Sequence, residues 1–103
     1  MEFNDELMEQ WGIDENTIVL EPRDYFNKGL IGVTEDKQHL IYSYQKLTHG
    51  NAAEEFMNKK SDDERTFDDF LSEACENVDY NTVRSLPYMD ADYRPIIIYE
   101  FIE

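Results

Sequence analysis

Residues 30–44, Leu30-Ile31-Gly32-Val33-Thr34-Glu35-Asp36-Lys37-Gln38-His39-Leu40-Ile41-Tyr42-Ser43-Tyr44, decide the fold class. Two β-favouring runs, Leu30–Val33 and His39–Tyr44, flank a short polar stretch, which predicts a hairpin over about 30–44. Gly32 inside the first run marks a bulge or a close approach of backbone. A second strand signal closes the chain. Pro95-Ile96-Ile97-Ile98-Tyr99-Glu100-Phe101-Ile102 is almost continuously apolar and β-branched, which predicts a strand over about 95–102 in a central position.

The remaining patterns are mostly helical. Thr66-Phe67-Asp68-Asp69 resembles a capping box, with Asp in the place usually taken by Glu. Phe67, Phe70, Leu71, Ala74, Cys75 and Val78 follow at helical spacing, which predicts a helix over about 66–79. A further helix is expected over about 45–60, weakened in the middle by Gly50-Asn51, where Asn51-Ala52-Ala53-Glu54 offers a restart. A third, over about 4–12, aligns Phe3, Leu7, Met8 and Trp11 and stops at Gly12. Thr17–Leu20 reads as an edge strand or extended connector, Tyr25–Gly29 as a loop, and Asn81–Leu86 as a helical turn stopped by Pro87. The expected fold is α+β: a small antiparallel sheet with helices packed on one face, in a single domain over 1–103.

Composition limits the functions open to the chain. Among 103 residues there are 24 Asp and Glu against nine Lys and Arg, a formal net charge of −15. Hydrophobic residues at 41% and aromatics at 14% supply enough apolar surface to fold despite that repulsion. So negative a chain repels phosphate backbones and anionic headgroups, so neither direct nucleic-acid binding nor a membrane partner is expected. A basic protein surface is the natural counterpart. Cys75 is the only cysteine, which fits a reducing compartment. The acidic N-terminus has no apolar signal core and no run of about 20 apolar residues follows, so a cytoplasmic location is expected.

Catalytic and cofactor patterns are sparse. His39 and His49 have no metal-ligand partner at i+4 and no neighbouring Cys. Cys75 lies on an apolar helix face, where a thiol usually packs rather than reacts. Gly29 and Gly32 lack the other residues of a phosphate-binding loop. Asp62-Asp63-Glu64 and Asp90-Ala91-Asp92 do not match a calcium-loop pattern. No enzymatic activity, cofactor or dedicated metal is expected.

The concentrated acids are the most informative feature. Eight acids fall between Asp62 and Asp79 against Arg65 alone. Laid along a helix of roughly 27 Å, they carry about one charge per 3.4 Å, close to the phosphate spacing of one DNA strand. Asp62, Asp63, Glu64, Asp68, Asp69, Glu73 and Glu76 are therefore the candidate face for a basic partner. The plain alternative is that such a surface only confers solubility. A second candidate surface is aromatic: Tyr80, Tyr88, Met89 and Tyr93, near Arg84 and Arg94, are residue types enriched at interfaces. Packing at the core margin is the plain alternative there.

The block Asp79-Tyr80-Asn81-Thr82-Val83-Arg84-Ser85-Leu86-Pro87-Tyr88-Met89 with Pro95-Ile96-Ile97-Ile98-Tyr99 resembles a block in small acidic proteins of anaerobic Gram-positive bacteria and their mobile elements. Leu30–Thr34 and Ile41–Leu47 resemble the same family's hairpin and helix start. The resemblance covers roughly the last 75 residues and implies a small accessory protein, with no catalytic or binding residue to carry over.

The expected function is a non-enzymatic protein-binding module with acidic faces, in its sharpest form an inhibitor or mimic that blocks a nucleic-acid-binding protein. The alternative is a structural or adaptor protein that binds through the aromatic C-terminal region or self-associates. Partner identity and oligomeric state stay open at this level.

Overall fold

The computed structural model describes residues 4–101. The chain is α+β. Helix α1 (Asp5–Gln10) and the short α2 (Arg23–Phe26) precede a 3-10 turn (Asn27–Gly29) and strands β1 (Leu30–Val33) and β2 (Leu40–Ser43). Helices α3 (Tyr44–Asn58) and α4 (Phe67–Asn81), a second 3-10 segment (Val83–Tyr88) and strand β3 (Ile96–Ile98) follow. Tyr25 and Phe26 thus lie in a helical turn rather than the expected loop, and Thr17–Leu20 is a connector outside the sheet.

Local chemistry sets the element ends. The Asn4 side chain accepts from the Leu7 N–H at 2.9 Å and starts α1; Gly12, at φ 69°, ends that turn. Phe3, placed on the same stripe in the sequence reading, lies outside the described residues. Ser43 ends β2 and caps α3 by accepting from the Lys46 N–H at 3.2 Å. Helix α3 runs unbroken through Gly50-Asn51. The buried Asn51 side chain donates to the carbonyls of Leu47 at 2.8 Å and Tyr25 at 2.9 Å. A residue weak in helices is thereby held in one.

The sheet corrects the antiparallel expectation. Its order is β1-β2-β3, with β1–β2 antiparallel and β2–β3 parallel, so the sheet is mixed. The two helices between β2 and β3 form a crossover long enough to return the chain in the same direction. β3 is an edge strand, not the central one, and it is shorter than expected. Past Ile98 the chain is drawn onto α3: the Glu100 N–H donates to Gln45 Oε1 at 2.8 Å, and the Ser43 hydroxyl donates to the Glu100 carboxylate. The expected bulge is present, as a register shift between Leu30 and Gly32.

The interior forms two clusters. Leu20, Phe26, Leu40, Tyr42, Leu47 and Val78 pack between the sheet, α3 and the end of α4, with Ile97 partly buried against them. Ala52, Phe70 and Ala74 form a second cluster between α3 and α4. Only Val78 of the α4 stripe reaches the sheet, while Leu71 and Cys75 are half-buried. Tyr42 anchors the larger cluster. Its hydroxyl accepts from the Leu20 N–H at 3.2 Å, and burial pushes its pKa up to about 12.

Candidate functional site: the acidic face of α4

Helix α4 has two unlike sides. Phe70, Ala74 and Val78 are buried, whereas Asp68, Asp69, Glu73, Glu76, Asp79 and Tyr80 are exposed. At about 100° per residue these exposed positions share one flank. The capping box is complete: the Asp69 N–H donates to Thr66 Oγ1 at 3.3 Å, and the Thr66 N–H donates to Asp69 Oδ2 at 2.8 Å. Asp68 and Asp69 also sit at the positive end of the helix dipole.

The seven candidate acids differ in their partners. Arg65 holds two of them, donating through Nη2 to Asp63 at 2.8 Å and through Nη1 to Glu73 at 3.2 Å. Its guanidinium lies 4.3 Å from the centre of the Phe70 ring, so the same side chain also covers the inner cluster. Hydrogen bonds from Arg65 hold the Asp63 carboxyl down to about 2. Asp69 serves the cap. Asp62, Glu64, Asp68 and Glu76 are exposed and have no ion-pair partner among the described residues.

The aromatic candidates do not form one surface. Tyr80, 71% exposed, carries the Arg84 guanidinium 5.0 Å from its ring centre. It joins the acidic side instead, where Glu73, Glu76, Asn77, Asp79, Tyr80 and Asn81 line a shallow depression. Tyr88 is 90% exposed. Met89 is half-buried against the sheet-side core, and Tyr93 is half-buried with its carbonyl accepting from the Ile18 N–H at 3.1 Å. Those two residues are tied into packing and connection.

Two features escape the sequence. The rings of Tyr44 and Tyr99 lie 4.7 Å apart, and Phe101 beyond them is exposed. Burial, then the neighbouring Cys75 and Asp79, push the Tyr44 hydroxyl up. The other is an apolar groove between α1 and β1 that includes Trp11 and Ile31; its only sequence signal is Gly32.

The histidines stand apart. His39 Nδ1 is 2.8 Å from the Arg94 carbonyl, and the His49 ring is 6.4 Å from that of Phe67. Among the described residues, no group of three or more His, Cys, Asp or Glu is placed to hold a metal ion. No helix there is long and apolar enough to cross a membrane. No family model, curated protein or solved structure matches the chain.

Proposed function

We propose that this protein is a non-enzymatic binding module whose acidic α4 face engages a basic protein surface. The observation that carries this reading is the one-sidedness of α4. Asp68, Asp69, Glu73, Glu76 and Asp79 are all exposed along roughly 16 Å of helix axis, with Arg65 paired to Glu73 and Arg84 stacked on Tyr80 as the cations beside them. Carboxylates at that density resemble a phosphate strand, so a nucleic-acid-binding protein is the sharpest form of the partner. The resemblance to small acidic accessory proteins leans the same way. Tyr88, 90% exposed, supports the second reading, an adaptor that binds through aromatic contacts.

The test uses acids that have neither an ion-pair partner nor a capping bond among the described residues. Asp69 caps α4, and Glu73 helps hold Arg65 over Phe70, so both are left intact. A quadruple variant, Asp62→Asn, Glu64→Gln, Asp68→Asn and Glu76→Gln, removes charge from exposed positions only. Proteins from the native host are captured on the wild-type chain at low and high salt, and binding of the recovered partner is then measured with both forms. The quadruple variant is expected to fold, with at most about 0.3–1 kcal/mol lost at the α4 N-terminus where Asp68 faces the helix dipole, and to bind more weakly. Unchanged affinity for that variant, with loss on Tyr88→Ala, would instead establish the adaptor reading.

A further inference from the structure

Beyond β3 the chain is fastened to the start of α3. The Glu100 N–H donates to Gln45 Oε1 at 2.8 Å, the Ser43 hydroxyl donates to the Glu100 carboxylate, and the Tyr99 ring lies 4.7 Å from that of Tyr44. The three partners are successive residues, the cap and the first two positions of α3. This contact supplies what α3 lacks. α1, α2 and α4 each carry acids in the first turn: Asp5 and Glu6, then Asp24, then Asp68 and Asp69. α3 carries none there, and Lys46 places a cation where the helix dipole disfavours one. The carboxylate beside this helix start comes from 57 positions further along the chain.

The segment that brings it has little buried surface. None of residues 96–101 is buried, and β3 pairs only with β2. The buried residues of both interior clusters come from other elements, and β3 adds only Ile97, half-buried at the margin of the larger one. Just before β3 the chain is fixed. Pro95 is buried, the Arg94 carbonyl lies 2.8 Å from His39 Nδ1, and the Tyr93 carbonyl accepts from the Ile18 N–H at 3.1 Å. The segment therefore has an anchored root, an edge strand and a polar catch at its far end. α3 keeps its cap without that catch, because Ser43 Oγ accepts from the Lys46 N–H at 3.2 Å.

A segment with few buried apolar contacts opens at a lower free energy than the whole fold. We propose that residues 96–101 form a latch that opens as a unit while α3, α4 and the β1–β2 hairpin stay folded, with the Glu100 carboxylate as its catch. Opening bares the edge of β2 along Ile41, Tyr42 and Ser43, the residues that pair with β3. The buried Ser43 hydroxyl then loses its acceptor. This latch is independent of what the α4 face binds.

Native-state hydrogen exchange, read amide by amide by NMR, tests the latch. In the wild-type chain the protected amides of β3 are expected to exchange together, and faster than those of residues 47–52 in α3 and 74–78 in α4. Glu100→Ala removes the catch and is expected to speed β3 exchange about tenfold or more, with those helical amides unchanged. Glu100→Gln keeps an oxygen for Ser43 but loses the charge, and is expected to fall between the two. Wild-type β3 amides that exchange no faster than the helices overturn the proposal. So does a Glu100→Ala variant that speeds all amides alike, leaves β3 unchanged or fails to fold, since each outcome shows that the segment is not a separate unit held by Glu100. A Glu100→Gln variant equal to the wild type overturns the carboxylate as the catch.

Discussion

Gly29 and Gly32 stand three residues apart, just before β1 and within it, and they meet opposite surroundings. A Cβ at Gly29 would lie 2.6 Å from Leu47 Cβ and 2.9 Å from the Ser43 carbonyl oxygen. A Cβ at Gly32 would meet nothing within 4 Å. The first glycine lets the 3-10 turn close against α3, and the side chains behind it fill the interior. The second faces an open groove. The same residue type therefore marks a closed half built from α3, α4 and β2, and a more open half where α1 and β1 pack on the same core through Leu7, Met8, Leu30 and Val33 but leave a groove between them. Contacts in the closed half are expected to dominate stability, and substitutions that face the groove to matter less.

The largest effect is expected in the closed half. Phe70 is buried against Ala52 and Ala74, with Phe56 edge-on at 6.1 Å and Arg65 over its face. Phe70→Ala should cost about 3–5 kcal/mol in chemical denaturation. A much smaller loss would show that the space between α3 and α4 collapses easily.

The glycine pair sharpens the contrast directly. Gly29→Ala forces a methyl group against backbone and a Cβ, at a cost of about 1–3 kcal/mol. Gly32→Ala should leave Tm unchanged or raise it slightly, since the strand gains a side chain in open space. Equal losses at both positions would erase the distinction between the halves.

Tyr42 adds a pH dependence to the closed half. Tyr42→Phe leaves the buried Leu20 N–H without its acceptor and should cost about 1–3 kcal/mol. Because burial raises the hydroxyl from 10.0 to about 12, its contribution is whole below pH 10 and is lost as pH rises toward 12. Alkaline titration of stability should therefore be flatter in the variant across that window.

The smallest effect belongs to the surface. Asp63 is lowered from 3.8 to about 2 by Arg65, so its contribution is present above pH 3.8 and is lost as pH falls toward 2. The stability gap between wild type and Asp63→Asn should close over that interval. A gap that persists at pH 2 would mean that Asp63 acts by something other than its charge.

What the sequence revealed depended on how local the cause was. The limits of α4 and its capping box were legible because Thr66 and Asp69 lie three residues apart and the apolar positions repeat within the segment. The continuity of α3 was not, because Asn51 is held partly by the carbonyl of Tyr25, 26 positions away. The run Ile96-Ile97-Ile98 shows a strand but neither its direction nor its neighbour, and its short length goes with the capture of Glu100 by Ser43 and Gln45 just beyond it. The acidic block was legible as charge. Its division among a cap, an arginine clamp and unpartnered carboxylates depends on where Arg65 reaches, which spacing alone does not show.

The most direct test of the acidic α4 face is the association rate of the quadruple variant, Asp62→Asn, Glu64→Gln, Asp68→Asn and Glu76→Gln, with the basic partner recovered on the wild-type chain. Charge steering acts on the encounter, so association at low ionic strength should slow by about tenfold or more while dissociation changes less. Raising the salt should bring the two forms together, because screening removes the same advantage from the wild type. Equal association rates at low salt, in a variant that still folds, would contradict the account.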